Sequence, residues 1–428
     1  MATSARDRRR RRPRVAAAAL LVLLSCIHPE APVESAPAPA VEQRTDAEPT
    51  IRVGLAVGAA TVLVGGGGAI AVSGADGAPL ATVPPAAEWR AVPVPGGVSL
   101  AGPAGIGSGV TSALTLRPVD SAEVLRINGR AYRGVVTLLR DRTGVTIVDQ
   151  LPLETYLASV VSSEMGRRDS ADVEALRAQA IVSRTYALRN MGRWRADGFD
   201  LYGTVADQVY GGVGNETPLG TAAVIATRGR VLTYAGALVD AFFFSTCGGR
   251  TADGVESFRA ADRPYLRSVQ DTGPDGGAWC SLSPRFRWRE EWTGEQVRTA
   301  LRRSLPAARL AQAADVGTVR DVRVGERSRS GRVARLDIAL GGSDVRVDGP
   351  HVRQVLRTAQ GEPLRSNAFT LSATGGGHRI TRLVADGGGA GHGVGFCQWG
   401  AVGRARAGQS AADILAAYYG GTQLQQAY

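Results

Sequence analysis

The chain has 428 residues, of which 44% are apolar, and carries a formal net charge of +11. A chain of this length and apolar content can bury one large core or two smaller ones, which excludes a disordered or fibrous protein. Seven arginines and one aspartate among the first 14 residues supply six of these charges, and no basic cluster interleaved with aromatic residues follows, so no nucleic-acid partner is expected.

The N-terminal segment has the parts of an export signal. An arginine-rich start precedes an apolar run, Val15–Leu24, that is too short to span a bilayer. The run closes on Leu23-Leu24-Ser25-Cys26, which resembles a bacterial lipoprotein processing site where the thiol of Cys26 takes up diacylglycerol. We predict a lipoprotein-type signal peptide over residues 1–26, with an ordinary signal peptide and an uncleaved anchor as alternatives.

A tether and a β-rich subregion follow the signal. Residues 27–50 are rich in Pro, Ala and Glu and have few large apolar side chains, so they cannot form a core. Residues 51–121 contain short β-like runs broken by glycine and proline. In the main body, residues 122–428, the runs Tyr132–Leu139 and Val145–Val148 flank a polar turn and predict a β-hairpin.

Helices are expected next, and strands return after them. Leu153–Ser162 and Ser170–Arg189 have helical patterns, and alanines in the second allow close packing. The later predicted elements are the strands Arg230–Tyr234, Leu238–Phe244, Val319–Val324 and Val333–Ala339 and an amphipathic helix over Thr293–Leu305. Because the helices concentrate in the middle, we predict an α+β fold with β-rich N-terminal and C-terminal portions around a central helical segment.

Three cysteines, Cys247, Cys280 and Cys397, remain after the leader. Outside the cytoplasm two of them could form a disulfide, and Cys247 with Cys280 is the preferred pair because both lie in Gly-rich loop sequence. The third thiol is then left over. Since the three lack CxxC spacing, we expect neither a zinc site nor another cofactor.

Glu164 is the carboxylate that stands out chemically. It lies at the junction of the two central helices after Val160-Val161-Ser162-Ser163, where apolar surroundings would raise its pKa toward that of a general acid. The alternative is a helix-end residue that forms a cap or a salt bridge. Histidine is scarce, and the loop of Ser245 and Cys247 lacks a nucleophile-elbow context, so a serine or cysteine hydrolase is disfavoured.

A glycine-rich segment, residues 387–400, contains His392, Gln398 and Trp399. So many glycines disfavour a regular helix or strand and allow close backbone approach to a long polymer. The segment lacks the ending of a phosphate-binding loop. Its His, Gln and Trp side chains suit hydrogen bonding to sugars and stacking on them.

Together these segments resemble the SpoIID/LytB family in an ordered series of motifs. The matching segments are Leu151–Leu157, Ser163-Glu164-Met165, Glu174–Ala180, Ser183–Ala187, Gln208–Gly212, Ser245–Gly249 with Thr251, Ser283-Pro284 with Trp288, Gly331-Arg332-Val333, and the glycine segment ending in Gln398–Ala401. The resemblance spans about residues 50 to 428.

The resemblance implies a lytic transglycosylase that cleaves peptidoglycan glycan strands, with Glu164 as the catalytic acid/base. Other signature positions are expected to line a substrate groove: Gln179, Arg184, Gln208, Tyr210, Ser245, His392 and Gln398. Some members hold zinc just before the Gln-x-Tyr motif, where this chain has Tyr202, Ala206 and Asp207, so no structural metal is predicted there.

The predicted partners are glycan strands, other wall hydrolases such as an amidase, and a membrane reached through the N-terminal lipid, with the protein at the cell wall outside the cytoplasm. The family's other branch implies an alternative, a non-catalytic enhancer of an amidase. A wall-bound scaffold in a sporulation or division complex is a third reading.

Overall fold

The computed structural model describes residues 47–105, 107–258, 261–376 and 378–428. The predicted signal peptide, the Cys26 lipidation and most of the tether lie outside these residues. Within the described part, several sheets and helices form an α+β fold, as predicted. None of the helices in that part has the length and apolar character needed to cross a membrane.

Strands make up the N-terminal portion. They are β1 (Thr50–Ala59), β2 (Val62–Gly66), β3 (Ile70–Ser73), β4 (Pro79–Val83), β5 (Glu88–Val94), β6 (Gly97–Ala101), β7 (Gly107–Thr111), β8 (Ala113–Pro118), β9 (Leu125–Ile127), β10 (Arg130–Tyr132), β11 (Val135–Arg140) and β12 (Val145–Pro152). The central helical portion consists of α1 (Leu153–Met165), α2 (Val173–Asn190), β13 (Leu201–Tyr202) and α3 (Pro218–Ala226).

The C-terminal portion mixes strands and helices. Its elements are β14 (Arg230–Tyr234), β15 (Ala237–Leu238), β16 (Phe243–Phe244), α4 (Gly254–Ser257), β17 (Arg287–Thr293), α5 (Gly294–Ala307), β18 (Val319–Arg327), β19 (Val333–Leu340), β20 (Asp344–Asp348), α6 (Gly349–Val355), β21 (Phe369–Gly376), β22 (Arg379–Gly388), β23 (Phe396–Cys397), α7 (Gln398–Arg406), α8 (Ala411–Tyr418) and β24 (Gln423–Gln426).

Two sheets carry the N-terminal strands. One has the order β13-β1-β12-β11-β8-β3-β4 and the other β10-β9-β2-β5-β6-β7. The predicted hairpin is present, since β11 and β12 pair antiparallel from Val135 opposite Gln150 to Arg140 opposite Val145. Because β12 lies between β1 and β11 in one sheet, the β-rich portion continues past the predicted boundary at residue 121 to Pro152.

The chain enters α1 directly from β12. The carboxylate of Glu48 accepts the backbone N–H of Glu154 at 2.7 Å, so the folded body starts slightly before the predicted end of the tether. A 3₁₀ turn, residues 170–172, precedes α2, and Asp169 caps that turn by accepting the N–H of Ala171 at 2.9 Å. The alanine-rich helix α2 is largely buried, as its small side chains predict.

The described residues contain two separate hydrophobic clusters. The first joins the N-terminal sheets, the central helices and the C-terminal helices α7 and α8. The second lies within residues 288–385, under the sheets β17-β22-β21 and β18-β19-β20. Helix α5 covers this second cluster and begins after a complete capping box formed by Thr293 and Gln296.

The predicted strand Leu238–Phe244 is mostly irregular, and this prediction was wrong over its middle part. Only β15 and β16 form at its two ends. Between them, the Asp240 N–H donates to the hydroxyl of Tyr265 at 3.1 Å, and the Asp240 carboxylate accepts from Arg263 at 3.0 Å. The first of these contacts satisfies a backbone N–H that a strand would offer to a neighbouring strand.

Candidate functional site

Glu164 lies in the last turn of α1, just before Gly166 ends the helix with φ of 69°. Its Oε1 accepts the backbone N–H of Val209 at 2.9 Å, and its Oε2 accepts Nε2 of Gln398 at 3.4 Å. Burial raises the pKa of Glu164 above its usual value, although both hydrogen bonds act in the opposite direction. Three motifs that are distant in sequence therefore meet at one partly buried carboxyl group.

Gln398 connects Glu164 to helix α2. It is the first residue of α7, and its Nε2 also lies 3.4 Å from Oε1 of Gln179. Gln179 is fully buried and donates to Ser183 Oγ at 2.9 Å. The two amides thus form a chain of hydrogen bonds behind the carboxyl group of Glu164, which fixes the direction in which that group points.

Gln208 and Tyr210 face the protein interior on either side of Val209. The hydroxyl of Tyr156 donates to Gln208 Oε1 at 3.2 Å, and the hydroxyl of Tyr210 donates to Asp149 Oδ2 at 2.8 Å. Both side chains are buried. Their contacts position the Val209 N–H against Glu164, so in this structure they support the site from within.

Arg168 and Trp399, which are close in sequence to Glu164 and Gln398, contact each other. The guanidinium of Arg168, four residues after Glu164, stacks over the ring of Trp399 at 4.3 Å from the ring centroid. Both residues are partly exposed. Trp399 also follows Gln398 directly, so this contact joins the chain segment that carries Glu164 to the segment that carries Gln398. Reasoning from sequence missed Arg168, and the tryptophan within the glycine segment was its only available signal.

The structure does not bring Arg184 to Glu164. The Arg184 side chain is fully buried and forms two 2.7 Å contacts with the Glu154 carboxylate. Glu154 lies ten residues before Glu164 on the same helix, which is about 15 Å along the axis. Arg184 therefore joins α2 to the start of α1.

His392 and Ser245 also make internal contacts. The Nε2 of His392 bonds to the carbonyl of Phe243 at 2.9 Å, and its Nδ1 accepts the Val394 N–H at 3.1 Å. Burial lowers the pKa of His392 to about 4, so the ring is neutral at pH 7. The carbonyl of Ser245 accepts the Trp399 N–H at 3.1 Å, which holds the start of α7.

The glycine segment is packed into the protein, which corrects the interpretation that it leaves backbone open to a polymer. Gly389, Gly391, Gly393 and Gly395 all have positive φ. A Cβ at Gly391 would lie 2.7 Å from Phe244 Cβ, and one at Gly395 would lie 2.3 Å from the carbonyl of Phe242. These glycines make room for neighbouring protein atoms.

Asp207 organises the loop before the Gln-x-Tyr motif. Its carboxylate accepts from the hydroxyl of Tyr186 at 2.9 Å, the indole of Trp194 at 2.8 Å and the N–H of Tyr202 at 2.9 Å. Arg193 completes the set with an ion pair at 3.2 Å. The Asp207 carboxylate is therefore fully engaged in holding this loop.

The described cysteines lie together. The sulfurs of Cys247 and Cys280, the predicted disulfide partners, are 3.3 Å apart, and both thiols are free. Cys397, predicted to be the unpaired thiol, lies at the same place, as does the carboxylate of Asp271. Sequence spacing did not reveal this meeting, because it depends on how distant segments of the chain pack together.

The comparisons with known proteins agree with this arrangement of motifs. A family model described as "Stage II sporulation protein" matches residues 141–234, and one described as "Domain of unknown function (DUF8618)" matches residues 277–395. Stage II sporulation protein D of Bacillus subtilis is 30% identical over 301 residues, which cover 67% of this chain and 78% of that protein.

Two further relatives are similar over much of the chain. An uncharacterised protein of Brachyspira hyodysenteriae is 28% identical over 311 residues, which cover 71% of this chain and 75% of that protein. The amidase enhancer of Bacillus subtilis is 27% identical over 300 residues, which cover 63% of this chain and 40% of that protein. The matched region is thus less than half of the amidase enhancer.

Proposed function

Because this chain belongs to the stage II sporulation protein D family, we propose that it is an extracytoplasmic enzyme that cleaves peptidoglycan glycan strands by lytic transglycosylation, with Glu164 as acid/base. The observation that carries this proposal is the environment of Glu164. Burial raises the pKa of this carboxyl group, and fixed donors, the Val209 N–H and Gln398, orient it. A general acid must hold its proton until the substrate binds, and a raised pKa serves that purpose.

The proposed reaction has two proton transfers through one carboxyl group. Glu164 donates its proton to the glycosidic oxygen as the bond to C1 of the muramyl residue breaks. The C6 hydroxyl of the same muramyl residue then attacks C1 and returns its proton to Glu164. The products are a 1,6-anhydromuramyl end and a strand with a free hydroxyl, and no water is consumed.

A single acid suffices for this route, whereas ordinary glycosidases use a pair of carboxyl groups. Two carboxyl groups beside the Gln208–Tyr210 segment are engaged in structural contacts. Asp207 holds the loop before Gln208, and Asp149 accepts the hydroxyl of Tyr210. The geometry therefore favours the intramolecular route over a mechanism that activates water.

The stacked pair of Arg168 and Trp399 is the proposed sugar-binding surface. Its two partly exposed side chains belong to the chain segments that also carry Glu164 and Gln398. Aromatic rings pack well against the apolar faces of sugar rings because they bury area at low conformational cost. Gln398 and Gln179 are expected to hold the carboxyl group toward this surface.

The deciding experiment compares Glu164→Gln with the parent protein on purified glycan strands. A soluble version should begin at about residue 40, so that the contact of Glu48 with α1 is kept. We expect the parent to produce anhydromuramyl ends, measured by mass spectrometry, and Glu164→Gln to be at least about 100-fold slower. Glu88→Gln, an exposed carboxyl on β5, is the matched control and should retain full activity.

Strands with and without stem peptides should both be tested, because either form could be the substrate. Failure of the parent protein to release anhydromuramyl ends from both substrates would refute the enzymatic proposal. The similarity to an amidase enhancer favours a second candidate function, stimulation of a wall amidase. That function predicts faster release of stem peptides by an added amidase, with Glu164→Gln as effective as the parent.

A further inference from the structure

Three cysteines and an aspartate form a buried cluster at the start of α7. The ligand atoms of Cys247, Cys280, Cys397 and Asp271 all lie within 4.8 Å of one another, and all four residues are buried. The Cys247 sulfur lies 3.3 Å from that of Cys280 and 3.2 Å from Oδ2 of Asp271. These residues come from four separate chain segments, so the fold itself assembles the cluster.

Backbone N–H groups point at two of the sulfurs. The Cys397 sulfur accepts from the N–H of Cys247 at 3.2 Å and from that of Gly400 at 3.3 Å. The Cys247 sulfur accepts the N–H of Gly249 at 3.3 Å. Hydrogen bonds from N–H donors favour the charged thiolate over the neutral thiol.

Gly400 keeps the space around the cluster open. A Cβ at this position would lie 2.3 Å from Asp271 Oδ2 and 3.2 Å from the Cys397 sulfur. A larger residue would therefore displace the carboxylate from the sulfurs. The cluster thus depends on a glycine in the first turn of α7, where helix propensity alone would favour alanine.

The surrounding charges suit a divalent cation. Metal binding deprotonates cysteine ligands, so with a metal bound the three cysteines and the aspartate would carry four negative charges. Arg404 pairs with Asp271 at 3.0 Å, and the buried Arg332 donates to the carbonyls of Cys247 and Arg250 at 3.0 Å each. These two guanidinium groups leave two negative charges, which one divalent cation balances. Buried charges need such compensation because water cannot solvate them.

We propose that Cys247, Cys280, Cys397 and Asp271 bind one zinc ion in a closed tetrahedral site. Three thiolates and one oxygen are a soft, mixed donor set that suits zinc, and four protein ligands leave no position open for catalysis. Arg404 and the hydroxyl of Tyr418 hold the Asp271 carboxylate, as partners behind metal ligands commonly do. The expectation of no metal came from the missing CxxC spacing, whereas these ligands gather only in the folded chain.

The position of the cluster gives the metal a structural role. Cys397 directly precedes Gln398, whose amide contacts Glu164. Cys247 belongs to the loop whose Ser245 carbonyl holds the N–H of Trp399. A zinc ion would join both segments and fix the start of α7. This role does not depend on whether Glu164 is catalytic.

The test measures metal content in the full chain, purified with detergent from cells supplied with zinc. We expect elemental mass spectrometry to find about one zinc ion per chain in the parent protein. The zinc content of Cys280→Ser and of Cys397→Ser should be less than about one fifth of the parent value. Glu164→Gln should keep its zinc, so this readout is independent of glycan cleavage. Cys26→Ser is a control for cysteine loss outside the four proposed ligands and should also retain zinc.

Exchange of the parent protein into cobalt avoids reliance on variants that could fail to fold. Bound Co²⁺ should show the intense visible absorption of a tetrahedral site together with a sulfur-to-metal charge-transfer band. A parent protein without zinc, zinc that persists in both cysteine variants, or a Cys247–Cys280 bond in the unreduced peptide map would each overturn the proposal.

Discussion

Burial raises the pKa of two carboxyl groups, that of Glu164 and that of Asp149, which accepts the hydroxyl of Tyr210. Each has a raised pKa, with loss of hydration as the main cause. For Asp149 the pKa rises to about 7, its Oδ2 accepts from Tyr210, and its Oδ1 has no hydrogen-bond partner among the described residues. Asp149 should therefore be protonated in mildly acidic solution and become a buried anion above neutral pH.

Replacing Asp149 with Asn should flatten the pH dependence of stability. The folded-state pKa of about 7 exceeds the ordinary value of 3.8, so the folded state binds this proton more tightly. Its stabilising contribution is complete below pH 4 and is lost as pH rises through 7, with an upper bound of about 3 kcal/mol between pH 5 and pH 8. Urea unfolding at several pH values measures this slope.

Asp149→Asn stays neutral and can still accept the Tyr210 hydroxyl, so it should be the more stable protein at pH 8. Asp76→Asn, in an exposed turn, is the matched control and should keep the slope of the parent. An unchanged slope in Asp149→Asn would mean that Asp149 stays ionised in the folded protein throughout this range.

Gln398→Ala should move the pH profile of glycan cleavage. The amide of Gln398 donates to Glu164 and favours its ionised form, which lowers the pKa of that carboxyl group. Without this donor the pKa of Glu164 rises further. The alkaline limb of the activity profile should therefore shift to higher pH, by as much as about one pH unit. Gln423→Ala, at an exposed position on β24, is the control. A lower rate with an unmoved limb would contradict this role.

Local signals in the sequence predicted the elements well where one segment contains the whole signal. The hairpin of β11 and β12 and the amphipathic helix α5 are such cases, since the turn residues and the helical spacing of apolar residues act within a few positions. The meeting of Glu164 with the Val209 and Gln398 segments was predictable only through the motif series.

Burial was the property that the sequence could not supply. Arg184 and His392 resemble substrate contacts in a list of motifs, yet Arg184 is buried in an ion pair with Glu154 and His392 bonds to the carbonyl of Phe243. The cysteine cluster was missed for the same reason, because Cys247 and Cys397 are 150 positions apart and meet only when α7 docks. Long-range packing decides these features, and spacing along the chain carries little information about it.

The glycine segment before α7 offers a test at the scale of an element. Gly395 has φ of 76°, and a Cβ there would lie 2.3 Å from the carbonyl of Phe242. Gly395→Ala should combine left-handed backbone strain with this overlap and lower the free energy of unfolding by about 2–4 kcal/mol. Thermal and urea unfolding provide the measurement.

Gly408→Ala separates the two causes of that loss. Gly408, which follows α7, also has positive φ, at 84°, but its Cβ would meet nothing within 4 Å. Its alanine variant should lose only about 1 kcal/mol, from backbone strain alone. Equal losses in the two variants would show that packing around Gly395 is looser than the structure indicates.

The whole molecule combines a site-bearing core with a second core. Helix α1, which carries Glu164, packs in the first hydrophobic cluster, and the second cluster lies within residues 288–385. The family-model matches follow the same division, with residues 141–234 in the first and 277–395 covering the second. Strand β22 continues from the second core into the glycine segment, and Arg332 reaches the carbonyl of Cys247.

Chains with more than one core commonly depart from two-state unfolding, so the two cores should lose structure in separate steps. Leu157 in α1 and Leu301 in α5 are both fully buried, one in each cluster. Each Leu→Ala change should destabilise its own core by about 2–5 kcal/mol. Amide hydrogen exchange, followed by mass spectrometry, should become faster in the core that carries the substitution. Exchange in the other core should stay close to that of the parent protein.

Glu164 lies on α1, which packs in the first core. The Leu301→Ala protein should therefore cleave glycan strands at the parent rate as long as both cores remain folded. The Leu157→Ala protein should lose this activity at a lower urea concentration than the parent protein does. If either change instead lowered protection equally in both cores, the links through β22 and Arg332 would couple them into one cooperative unit. The second core would then be needed to hold Gln398 and α7 in place, and its loss would remove activity together with stability.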